Sequence, residues 1–204
     1  MVQILVGPDK KPFTMHKELL CNTAPYFRAA FEGHFIEGKQ QLLELPSEDP
    51  GTFESFQLWA YTGSILEEGE NTAGISWATL VDLYIFGDAH GISGLQNAVI
   101  DLIIDKHDVD KKTPIEEIRK IWGQTSEASP LRRLVLEMSA CNGAVTVWFM
   151  RGDRSEFSKE FLFDLAMRLY ELKQETEPPV KNFQTVRLDY HVSSSPTSSS
   201  STQK

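Results

Sequence analysis

"PFTMHKELLCNTAPYFRAAFEGHFIEGKQQLLELP", residues 12–46, opens and closes on strand-like runs and carries helical spacing between them. "PFTMH" is the first run, and "QQLLELP" is the second, stopped by Pro46. Between them, "KELLCNTA" reads as a short helix, and Pro25 suits the first position of another, with Thr23 or Asn22 as its cap. Tyr26, Phe27, Ala30 and Phe31 repeat at helical spacing until Gly33 ends the run. The apolar step Phe35-Ile36 then falls in what otherwise reads as a polar turn, between Gly33-His34 and Glu37-Gly38. Two roles are open to it: these side chains tuck into the core, with Glu37 beginning the next strand, or they wait for a partner.

Upstream, "VQILVG" precedes the turn "PDKK" and forms a further strand, its alternation of Ile4 and Val6 against Gln3 and Leu5 imperfect, as expected of a small sheet covered by helices. Downstream of Pro50, Phe53, Phe56 and Ala60 share a helical face that ends at Gly63, and residues 67–74 form an acidic loop. "SWATLVDLYIFGDAHGI" carries Leu80, Leu83 and Tyr84, and Ser93 with Gln96 fits a capping box for the apolar helix that follows. Few strands among many helices make residues 1–108 an α+β unit.

From 109 to 190 the pattern is helical. Thr113-Pro114-Ile115-Glu116 predicts a helix start with a Thr cap and Pro at the first position. Another helix is predicted from Ser129-Pro130 to Asn142-Gly143, while "AVTVWFM", 144–150, fits a strand or a buried helix end. Phe161, Leu165, Leu169 and Leu172 form the stripe of an amphipathic helix that Pro178-Pro179 ends. The Ser-rich residues 191–204 lack the apolar surface to order themselves, and no internal repeat is visible.

In these 204 residues, 41% hydrophobic, a packed core is expected. No apolar run approaches the ~18 residues of a membrane span, and the first residues do not read as a signal peptide. The net charge of −9 argues against direct nucleic-acid binding, which needs clustered Lys and Arg. Cys21 and Cys141, far apart and without an export signal, suit a reducing compartment, so a cytoplasmic or nuclear location is expected.

Chemistry is hard to find. The chain has no P-loop, G-x-G-x-x-G, H-E-x-x-H or G-x-S-x-G motif, and its histidines never sit at metal-ligand spacing from another His or Cys. His16 and Cys21 read as a strand-end histidine and a buried thiol rather than a nucleophile pair. "RGD" at 151–153 reads as a polar turn, Glu67, Glu68 and Glu70 as a solvated loop, and Ser195-Pro196 as a chance match to a phosphorylation motif. No enzyme, cofactor or metal is expected.

Six ordered pieces, however, resemble the BTB/POZ domain: "FTMHKELL" (13–20), "APYFRAAF" (24–31), "FIE" (35–37), "LELP" (43–46), "FESFQLWAYTGSI" (53–65) and "LVDLYIFGDAHGISGL" (80–95). They cover about residues 2–108, and the helical extension with a Ser-rich tail is similar to BTB proteins of filamentous fungi. The resemblance implies a small three-stranded sheet covered by helices, with Leu19, Leu20, Phe27 and Phe31 packed beneath it. In family members that recruit a cullin ubiquitin-ligase scaffold, the turn carries a hydrophobic-x-Glu motif, here Phe35-Ile36-Glu37. By that resemblance Phe35 enters a pocket on the cullin, Glu37 orders the turn or meets a polar partner, and Tyr26 and His90 lie close to the same surface.

Two functions are then expected of a protein-interaction module. One is an adaptor that holds a cullin through residues 1–108 and an unknown substrate protein through the extension. The other is homotypic assembly or scaffolding, with any role in transcription indirect because no zinc finger or basic region is present. The exchanged N-terminal helix and strand of dimeric relatives do not precede Val2 here, which leaves a monomer, a weaker dimer or a truncated start open.

Overall fold

The computed structural model describes residues 1–33, 36–141, 157–174 and 182–193. Strand β1 (Val2–Val6) is central in a three-stranded sheet of order β2-β1-β3. It pairs antiparallel with β2 (Lys11–Met15), Val2 opposite Met15, and parallel with β3 (Leu42–Leu45), Gln3 opposite Leu42. The side-chain period of two works cleanly: Val2, Ile4, Val6, Phe13, Met15, Leu43 and Leu45 are buried on one face, and Leu5 is only half-buried. Pro12, which has no amide hydrogen for a ladder, sits on the edge strand.

The crossover from β2 to β3 runs through α1 (Lys17–Thr23), α2 (Pro25–Glu32) and α3 (Ile36–Gln40). Pro25 opens α2 as expected, but the cap residue is Ala24; Thr23 and Asn22 do not cap it, and the Thr23 hydroxyl donates to the Leu19 carbonyl 2.7 Å away. Ile36, Glu37 and Gly38, read as part of a polar turn, lie in α3, so Glu37 is in a helix rather than at the head of β3. Leu20, Phe27 and Phe31 are buried, with Leu19 packed at the margin of the core.

Helix α4 (Pro50–Thr62) starts under the Asp49 carboxylate, which accepts from the Thr52 amide at 2.8 Å. It ends at Gly63, whose φ of +75° is the left-handed conformation glycine adopts without strain. Helices α5 (Trp77–His90) and α6 (Ser93–Asp110) pack against each other. Ser93 lies inside α6 and no side chain caps that helix; the Gln96 amide instead donates to Asp88 at 3.1 Å. The expected capping box is therefore absent, because Gln96 is drawn into the α5–α6 contact.

Beyond α6 the predicted Thr113 start is also displaced. A 3-10 turn at Ile115–Glu117 follows Pro114, α7 (Ile118–Gln124) follows that, and Thr113 is buried instead of capping. Helix α8 (Pro130–Cys141) and helix α9 (Lys159–Gln174) pack against each other, and residues 182–193 return across α6 and α8 through a second 3-10 turn, Arg187–Tyr190, so that His191 and Val192, expected in the unordered tail, are held by Asp101 and Asn97 instead. Of the predicted α9 stripe, Phe161 and Leu165 are buried but Leu169 is exposed; Arg168, ion-paired with Glu137, takes an inward position instead. Residues 144–150, the "RGD" at 151–153, Pro178-Pro179 and Ser195-Pro196 lie outside the described residues.

One hydrophobic core spans both halves. Val81, Leu83 and Ile104 belong to the same cluster as Ile118, Leu134 and Phe161, and the Ser129 hydroxyl donates to Tyr84 at 3.3 Å. Each fully buried Leu, Ile or Phe side chain is worth about 1.5–3 kcal/mol relative to exposure, so this shared core carries most of the stabilisation.

Candidate interaction surface

A row of aromatic rings leads from the sheet to the surface. Phe13 meets Phe53 at 4.8 Å between centroids, Phe53 meets Phe56 at 5.4 Å, Phe56 meets Phe86 at 5.0 Å, and Phe86 meets His90 at 4.4 Å. The last step is Tyr26, whose ring lies 4.5 Å from that of His90. Along this row burial falls away: Phe53 and Phe56 are fully enclosed, His90 is 7% exposed, and Tyr26 is 38% exposed.

His90 is fixed by chemistry as well as packing. Its Nε2 lies 3.0 Å from the Glu48 carboxylate, which only accepts, so the proton is on Nε2. Nδ1 is buried and has no hydrogen-bond partner among the described residues. The Tyr26 hydroxyl is held above its ordinary pKa, chiefly by burial, with the carboxylates of Glu48 and then Glu37 adding to the effect. Glu37 is thus within electrostatic reach of Tyr26, and Tyr26 is in ring contact with His90.

Helix α3 is seated on the C-terminal end of α2. A Cβ on Gly38 would stand 3.0 Å from the Phe31 carbonyl oxygen and 3.1 Å from that of Gly33, tighter than most side-chain contacts, so the backbone would have to give way. Glycine at this position is what lets α3 approach. With α3 so placed, Ile36 points its side chain to water, 62% exposed. Phe35, the expected anchor, lies outside the described residues. Of the five residues expected at this surface, Tyr26 and His90 are in ring contact, Glu37 acts electrostatically on the Tyr26 hydroxyl, and Ile36 stands on the same short helix as Glu37.

Glu48 was not anticipated. It lies 42 residues from His90 in sequence, and no local pattern marks the pair. The His16 ring faces the Tyr61 hydroxyl at 2.8 Å, whereas Cys21 is enclosed in the core with its thiol pushed up by burial, an inert arrangement. Glu67, Glu68 and Glu70 are exposed, and among the described residues no group of three His, Cys, Asp or Glu is placed to hold a metal ion. Nor is any helix among the described residues long and apolar enough to cross a membrane.

No curated protein matches this chain. A family model described as BTB/POZ domain matches residues 2–104, which takes in the sheet, α1 to α5 and most of α6. Sheet order, crossover helices and this match agree: the chain belongs to the BTB/POZ domain family, a family of protein-interaction modules.

Proposed function

We propose that this chain is an adaptor that recruits a target protein to a cullin ubiquitin-ligase scaffold, with the surface of α2, α3 and the end of α5 as the scaffold-binding face. The observation that carries the reading is the exposure of Ile36 on α3, a helix seated on the end of α2, together with that of Tyr26 at the start of α2, whose hydroxyl feels the carboxylates of Glu48 and Glu37. An aliphatic and an aromatic side chain framed by carboxylates is the composition of an interface centre with a polar rim. The His90–Glu48 pair, with His90 buried and Glu48 partly so, supports it from below, because a fixed imidazole keeps Tyr26 in one orientation before binding.

Target capture falls to the region after residue 108, where α9 leaves Phe163, Met167 and Tyr170 exposed at helical spacing. The test is co-elution of the purified chain with the N-terminal region of a cullin on size-exclusion chromatography with mass detection. A one-to-one complex that Ile36→Asp abolishes supports adaptor function. Self-association without cullin binding, indifferent to Ile36→Asp, would replace it with homotypic assembly.

A further inference from the structure

The outer face of α6 carries Asn97, Asp101 and Asp105 four residues apart, so the three side chains form one stripe along the helix. Each rung holds the returning segment 182–193. Asn97 uses both ends of its amide on one residue: Nδ2 donates to the Val192 carbonyl at 3.1 Å, and Oδ1 accepts from the Val192 amide at 2.6 Å. Asp101 meets His191 Nε2 at 3.0 Å and Arg187 at 3.4 Å. Asp105 accepts from Arg187 at 2.7 Å and from Gln184 at 3.0 Å. Two rings anchor the segment: Phe183 is buried edge-on to His107 at 5.5 Å, and Tyr190 is buried under the Arg133 guanidinium at 5.2 Å.

We propose that this face of α6, completed by His107 and Arg133, is a peptide-docking site that reads an arginine between two aromatic side chains, occupied in cis by the chain's own residues 182–193. The charges match: the stripe presents two carboxylates, and the segment brings Arg187 and His191 to them.

Phe183 and Tyr190 join the hydrophobic core and Val186 packs against it, but the rest of the segment is held at the surface. Its regular backbone hydrogen bonds close on itself, from Thr185 to Asn182, Asp189 to Val186 and His191 to Leu188. Asn182, Thr185, Leu188 and Asp189 are exposed, and Arg187 and both aspartates are each partly in water. Two buried rings and a set of half-exposed polar contacts place the segment at the low end of local stability. The tether compensates, since an attached segment competes at an effective concentration of order mM. A peptide of the same pattern from another protein gains the site only when the cis segment is released.

The test uses the full-length chain and a fluorescein-labelled peptide of residues 182–193. Wild type is expected to take up little peptide in an anisotropy titration, because its own segment fills the site. Full-length Arg187→Glu/Tyr190→Ala is expected to bind the wild-type peptide at least tenfold more tightly, and adding Asp101→Asn/Asp105→Asn is expected to remove that gain. A folded Arg187→Glu/Tyr190→Ala chain that takes up no more peptide than wild type would overturn the assignment, as would uptake indifferent to the aspartates. Hydrogen exchange on wild type decides the matter without variants. Amides of 182–193 that exchange well ahead of the α6 core support a releasable segment, and amides that exchange only with global unfolding refute it.

Discussion

Replacing Glu48 by alanine leaves the His90 imidazole buried with neither nitrogen partnered among the described residues, since Nε2 loses its acceptor and Nδ1 had none. A buried polar group stripped of its partner costs about 1–3 kcal/mol. The Glu48 side chain is 27% exposed, so water reaches the gap it leaves and the lower part of that range applies. In a chain of this size ~1 kcal/mol lowers the melting temperature by about 2–4 °C, so Glu48→Ala is expected to melt about 2–8 °C below wild type. The double variant Glu48→Ala/His90→Phe is expected to recover most of the loss, because the ring site lies between Phe86 at 4.4 Å and Phe27 at 5.8 Å and asks for no polar atom. Differential scanning calorimetry of the two variants and wild type reads both quantities. A Glu48→Ala chain that melts with wild type, or a double variant no better than the single, would refute the reasoning.

Phe56, fully enclosed among Phe27, Phe53 and Phe86, should cost about 3–5 kcal/mol on truncation to alanine, measured by urea denaturation with an unchanged slope. Gly38→Ala is expected to push α3 off the end of α2 and weaken partner binding at least tenfold, whereas Gly63→Ala, strained in φ but with no atom within 4 Å of the new Cβ, should cost about 1–2 kcal/mol and leave binding unchanged. Burial lowers the pKa of His107, whose Nδ1 donates to the Lys112 carbonyl at 2.7 Å. The unfolded chain therefore takes up that proton first, and stability falls as pH drops below about 6.5; His107→Gln should flatten that part of the stability-against-pH curve, read from denaturation midpoints between pH 7 and 5.

The sheet and its covering helices were legible because their signals are local and periodic. Ile4 and Val6 alternate with Gln3, and Phe27 and Phe31 recur one helical turn apart, so burial follows the pattern. Asp49 was not read as a cap, although Pro50 marked the start of α4. The caps that were read at Ser93 and Thr113 failed where tertiary contacts outbid local ones: Gln96 serves Asp88 on α5, and Thr113 is buried. On α9 the apolar stripe drifts, Leu169 facing water while Arg168 turns inward to Glu137, a pairing 31 residues apart that no heptad pattern encodes. The candidate surface was half legible. Tyr26, Ile36, Glu37 and His90 stand in recognisable pieces of sequence, but Glu48, which locks His90, and the Asp101–Asp105 stripe, which holds Arg187, exist only once distant segments meet.

The most direct measurement is a calorimetric titration of the N-terminal region of a cullin into the wild-type chain and its Ile36→Asp and Glu37→Lys variants. Submicromolar one-to-one binding to wild type is predicted. Each variant is predicted to lose about 2 kcal/mol or more, roughly 30-fold in affinity, with an unchanged melting temperature because Ile36 and Glu37 contribute little to the core. Absence of binding by folded wild type, or binding that both variants retain in full, would contradict the assignment of this surface to a cullin.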